Sequence, residues 1–175
     1  MLRSIAAAAC VLLLTLPAAA APEAPDKGAH QAAMQKLSFL AGEWEGSGSI
    51  AMGPQHEAFT QKERIQFKHD GTLLLIEGNG TSPKTGATVH DALAVVTFDP
   101  KSGGYKFRSF AAVGRFADTE GSVTGNTFVW HLNIGPQGRV RYTITVENGV
   151  WREIGERSAD GVAWAPFFEM TLRRK

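Results

Sequence analysis

From Glu43 to the C-terminus, apolar and polar residues alternate with a period of two, and turn residues interrupt the alternation every eight to twelve positions. Val140, Tyr142, Ile144 and Val146 alternate with Arg139, Arg141, Thr143 and Thr145; Phe128, Trp130, Leu132 and Ile134 alternate with Thr127, Val129, His131 and Asn133. Tyr105 and Phe107 oppose Lys106 and Arg108, while Trp164, Phe168, Met170 and Leu172 oppose Glu169, Thr171 and Arg173. Each run reads as a strand with one face turned toward a core. The interruptions include Met52-Gly-Pro-Gln55, His69-Asp-Gly71, Asp99-Pro-Lys-Ser-Gly-Gly104, Glu147-Asn-Gly149 and Ser158-Ala-Asp-Gly161; Asn-Gly and Asp-Gly pairs between such runs signal hairpins.

Ten strands result, at 43–51, 57–68, 72–80, 88–98, 104–112, 115–123, 126–134, 139–147, 150–158 and 164–174. No long helical pattern separates them, so the fold class is all-β: a single antiparallel meander. A meander of that length curls and closes, because free sheet edges recruit other chains. One short helix is expected within Gln31–Leu40, ahead of the barrel domain at 37–175. Gly42 and Trp44 at the entry to the first strand read as structural: the Gly allows a tight turn and the indole plugs one barrel end. Arg173 or Arg174 on the closing strand is expected to stack over that indole, with Arg173 the structural assignment.

The first 20 residues change the setting. Arg3, the apolar core from Ile5 to Leu16, and Pro17 followed by small residues read as a secretory signal peptide cleaved after Ala20, with 21–36 as lead-in and short helix. Export to the periplasm or outside the cell follows, and a lipidated Cys10 does not, since its main apolar run comes after it. Cys10 is the only cysteine and leaves with the leader, so the exported chain holds together without disulfides. Losing Arg3 leaves 17 basic against 17 acidic residues. That balance offers no basic field for nucleic acid and no basic amphipathic face for membrane insertion.

Catalytic signatures such as a nucleophile elbow, a phosphate loop, a dinucleotide fingerprint or a zinc-type His pair are absent from the sequence. The five histidines, His30, His56, His69, His90 and His131, are scattered and read as solvated rather than metal-binding. More telling are carboxylates on faces that otherwise read as interior. Glu63 shares a face with Phe59, Gln61, Ile65 and Phe67; Glu77 follows Leu73 and Leu75; Glu156 follows Val150 and Ile154. An ionised carboxylate in a dry core is costly, so these residues face a wet, ligand-holding interior, pair internally, or reach solvent at strand ends. Tyr105, Trp130, Tyr142, Phe168 and Met170 are the expected apolar wall of that interior.

The opening Leu37-Ser-Phe-Leu-Ala-Gly-Glu-Trp-Glu-Gly-Ser-Gly48 resembles the start of nitrobindin-like and lipocalin-like barrels, the calycin group, and more closely that of small secreted bacterial proteins of unknown function. Val89-His-Asp-Ala-Leu-Ala-Val95, Arg152-Glu-Ile-Gly-Glu156 and Phe167-Phe-Glu-Met-Thr-Leu-Arg173 resemble the later blocks of that set. The resemblance implies a barrel of about ten strands with an internal cavity and no assigned reaction. Nitrobindins hold heme through a His on the last strand, where this chain has Phe167 and Phe168; intracellular fatty-acid carriers use a late Arg-x-Tyr, where this chain has Arg141-Tyr142.

The expectation is therefore a monomeric exported barrel that binds a small hydrophobic or amphipathic molecule, with Glu63, Glu77 and Glu156 orienting its polar end. No heme, metal or other cofactor is expected. Two alternatives remain open: an enzyme using an interior carboxylate as general acid or base, and an envelope protein with a filled barrel.

Overall fold

In the computed structural model, which describes residues 26–175, the ten alternating runs become ten strands: β1 Gly42–Met52, β2 Gln55–Lys68, β3 Leu73–Thr81, β4 Thr88–Asp99, β5 Gly104–Ala111, β6 Phe116–Thr124, β7 Thr127–Asn133, β8 Arg139–Glu147, β9 Val150–Ser158 and β10 Ala165–Arg174. Every neighbouring pair is antiparallel, and β1 pairs with both β2 and β10, which closes the barrel. Closure removes both edges, as the length of the meander requires. The expected signal peptide and Cys10 lie outside the described residues.

The helix sits earlier than the sequence pattern suggests. Helix α1 spans Lys27–Gln35 and is followed by a single 3-10 turn at Ser38–Leu40. The reason is local: the Asp26 side chain accepts the Ala29 amide at 3.1 Å and starts the helix there. Met34, Leu37 and Leu40 then insert fully buried into one end of the barrel, against Trp44, Leu74, Val96, Phe128, Trp151 and Leu172.

Polar bonds fasten that end shut. Tyr105 donates its hydroxyl to the Ala33 carbonyl at 2.8 Å, and Trp44 donates its indole N–H to the Leu40 carbonyl at 2.8 Å. The Trp44 indole meets that of Trp151 edge to face, 5.5 Å between centroids. The cation over Trp44 is Arg174, at 4.2 Å, not Arg173; Arg174 also donates to the carbonyls of Phe39 and Ala41. Arg173 is exposed because it pairs with Val150 one register step away, on the outer face. Gly42 sits at φ +129°, and a Cβ there would lie 2.5 Å from the Arg174 guanidinium, so the expected tight turn does need glycine.

The other end carries the longer hairpin loops at 82–87, 112–115, 134–138 and 159–164. Nothing equivalent to α1 covers it among the described residues. Between the sealed end and these loops lies the interior.

Candidate functional site

Strand parity decides which carboxyls reach the interior. On β2, Phe59, Gln61, Glu63 and Ile65 are buried in alternation, so Glu63 points inward. On β3 the buried positions are Leu74, Gly78 and Gly80; Glu77 therefore faces out and pairs with Arg64 at 3.8 Å. On β9 Trp151, Glu153 and Gly155 are buried in alternation, with Ser158 buried at the strand end, so Glu156 also faces out, where Arg141 donates to its carboxylate at 2.7 and 3.0 Å. The expectation that Glu77 and Glu156 orient a ligand is thus corrected: both are solvated partners in surface ion pairs. Glu153 takes the interior place instead. Its one sequence signal is that Trp151, the bulkiest residue of the strand, shares its parity.

The interior holds a cavity of about 520 Å³. Phe107, Trp130 and Tyr142 line one wall and stack plate on plate, with centroids 4.5 Å and 4.3 Å apart and planes within 15° and 13°. Ala92 and Ala94 on β4 and Ser109 and Ala111 on β5 also line it, and their small side chains leave the space open. His90, Arg115 and Asn133 stand toward the looped end. This volume overturns the filled-barrel alternative. Trp130, Tyr142 and Glu63 line the cavity as expected. Tyr105 and Met170 instead belong to the buried core, and Phe168 packs against that core and stacks on Phe59 at 5.6 Å. Tyr105 is drawn away by its bond to α1. Trp164 does not share the face of Phe168, because a register shift between Pro166 and Phe168 breaks the alternation; its ring lies beneath the Arg141 guanidinium at 4.3 Å.

Glu63 and Glu153 sit just above the Trp44–Trp151 pair and are 9% and 8% exposed. Gln61 donates to Glu63 Oε1 at 2.7 Å, and the Trp151 indole donates to Glu153 Oε2 at 3.2 Å. Among the described residues no cation pairs with either carboxyl. Burial dominates their chemistry: it pushes Glu63 up to about 8 despite the Gln61 bond, with the Glu153 charge adding to the rise. Burial likewise pushes Glu153 up to about 7, against the opposing effect of the Trp151 bond. The Tyr142 phenol is pushed up to about 12, by burial first and the Glu153 charge second. Gly78 makes room for this arrangement, since a Cβ there would lie 2.7 Å from Glu63 Oε1. At the rim, desolvation of the His90 ring lowers its pKa and keeps the imidazole neutral.

A second hollow of about 560 Å³ lies against β1–β5, bordered by Lys62, Arg64, Glu77, Asp91, Leu93 and Phe110 and also by Glu63. Arg64 and Glu77 pair with each other at its border, while Glu63 and Glu153 come together with the stacked aromatic wall only around the interior cavity. Among the described residues, no cluster of three or more His, Cys, Asp or Glu is placed to hold a metal ion, and no helix is long and apolar enough to cross a membrane.

Comparison with known proteins adds a family to this geometry. A family model described as the THAP4-like, heme-binding beta-barrel domain matches residues 33–158. No curated protein matches the sequence. Among solved structures, the crystal structure of Rv2717c from M. tuberculosis superposes with a TM-score of 0.60 at 15% identity, covering 82% of this chain and 97% of that one. At that identity the likeness speaks for the fold alone.

Proposed function

This chain belongs to the family of THAP4-like, heme-binding β-barrel domains, and from that premise we propose that its interior binds an amphipathic molecule of about the size of heme. The carrying observation is the cavity itself: about 520 Å³, walled by Phe107, Trp130 and Tyr142, with Glu63 and Glu153 aimed into it. That combination of volume, apolar wall and a few convergent polar groups is the usual make-up of a small-molecule site.

Heme is the ligand the family description brings, and the cavity suits it in size and lining. The iron donor would differ from the nitrobindin arrangement implied by the sequence resemblance. Strand β10 presents Phe168, Met170 and Leu172 inward and no histidine. His90, on β4, is the one histidine among the described residues that lines the cavity, and its neutral imidazole would hold the metal. Bound there, heme would supply redox and diatomic-gas chemistry. The rim Arg115 is the cation nearest to hand for acidic ligand groups.

Titration with hemin tests this reading: a saturable Soret band at one equivalent is expected, lost in His90→Ala. A flat apolar fluorophore serves as a second probe, and failure of both probes to saturate would overturn the proposal. Export remains part of the same reading, supported by the leader from Met1 to Ala20. N-terminal sequencing should show a mature chain starting near Ala21.

A second reading is favoured by one observation, the burial of Glu63 and Glu153 beside a cavity, which pushes them up to about 8 and about 7. At neutral pH such a pair holds about one proton, which is the state a general acid and base need. Any turnover reaction run by the pair would show a bell-shaped pH profile.

A further inference from the structure

We propose that the cavity floor formed by Glu63, Glu153 and Tyr142 recognises the cationic, N–H-bearing end of an amphipathic ligand, an organic ammonium rather than a carboxylate. The inference rests on the binding reading above and names the class of molecule it admits. Each carboxyl spends one oxygen on a protein donor: Glu63 Oε1 on Gln61 and Glu153 Oε2 on Trp151. Among the described residues the remaining oxygen of each meets no donor, and neither does the Tyr142 hydroxyl. Both carboxyls are more than nine-tenths buried, yet their free oxygens border a cavity rather than packed atoms. No buried side-chain nitrogen or oxygen among the described residues lacks a hydrogen-bond partner, so these free oxygens are open to the cavity, where a ligand that brings N–H groups and positive charge makes charge-assisted bonds to them.

The surroundings favour charge of this sign. Arg157 is the basic residue with influence on Tyr142, but its guanidinium lies over the Phe167 ring at 4.1 Å. From β4 the titratable group facing the cavity is His90, held neutral, and from the β5–β6 loop it is Arg115; both stand at the looped end. No basic side chain among the described residues pairs with either floor carboxyl, so an anionic headgroup would meet two carboxyls without a counter-ion bonded to them. Polarity along the cavity is then set: cationic end down at the carboxyls, acidic groups at the rim beside Arg115.

The test uses three naphthalene probes with one hydrocarbon body, ending in an ammonium, an alcohol or a carboxylate, read by quenching of tryptophan fluorescence. At pH 8.5 the ammonium should bind about tenfold or more tighter than the alcohol, as a charge-assisted contact allows, and the carboxylate weaker than both. At pH 5.5, with the floor protonated, the ammonium preference should shrink to about threefold or less. Glu63→Gln with Glu153→Gln should erase the preference while far-UV circular dichroism shows the barrel intact; each single variant should reduce it in part. Equal binding of ammonium and alcohol at pH 8.5, or a preference that survives the double substitution, overturns this inference while the cavity reading stands. If none of the three probes binds, the cavity reading fails and takes this one with it.

Discussion

Replacing Glu63 with Gln should make the barrel more stable, and by an amount that grows with pH. In the unfolded chain Glu63 titrates near its ordinary 4.5, while in the barrel it titrates near 8. Between those values the folded state holds a proton that the unfolded state has lost. Stability then falls as pH rises from 4.5 to 8, by about 1.4 kcal/mol per pH unit, and is flat beyond. The whole interval amounts to roughly 5 kcal/mol, and solvent entering the open cavity brings the expected loss to about 3–5 kcal/mol. That is a large share of the total for a domain of this size, worth roughly 10 °C in Tm. Gln keeps the shape and the carbonyl acceptor toward Gln61 but carries no charge. Urea denaturation of both proteins at half-unit steps from pH 5 to 9 reads the difference directly, since every other titrating group is common to the two. The wild type should lose about 3–5 kcal/mol more than the variant across that range. Parallel curves would refute the reasoning, because they would mean that Glu63 is ionised in water or paired with a cation in the folded barrel.

Arg174→Ala should cost about 1–2 kcal/mol by removing the stack on Trp44 and the bonds to the Phe39 and Ala41 carbonyls, whereas Arg173→Ala should stay within about 0.5 kcal/mol; thermal melts of the two distinguish them. Gly78→Ala should destabilise by about 1–3 kcal/mol because its Cβ would meet the Glu63 carboxyl at 2.7 Å, and shortening Glu63 to Ala in the same chain should recover most of that loss in a double-mutant cycle. Tyr105→Phe should cost about 1 kcal/mol through the lost bond to Ala33, with probe binding unchanged, since Tyr105 lies in the sealed end and not on the cavity; altered probe affinity would contradict that placement.

The sequence by itself determined the barrel. Period-two alternation and Gly-rich turns mark all ten strands to within two residues of their observed ends, because strand pairing and one-sided burial impose that period on any closed meander. It also marked Gly42, Trp44 and Glu63, where alternation is clean and a polar residue stands out on an apolar face. Parity failed where the pattern is silent. Leu73-Leu74-Leu75-Ile76 is apolar on both faces, and Gly78, Gly80 and Gly155 carry no side chain to declare a side, so β3 and β9 could be read either way round. In a strand, one residue of register exchanges inside for outside, and only pairing with the neighbours decides it: Glu153 lies opposite Ile144 and Met170, Glu156 opposite Arg141. The convergence of Glu63 and Glu153 on one cavity, ninety positions apart in the chain and seven strands along the meander, therefore exists only in the closed barrel. So do their raised pKa values, which arise from burial and, for Glu63, also from the Glu153 charge, neither of which a linear pattern contains.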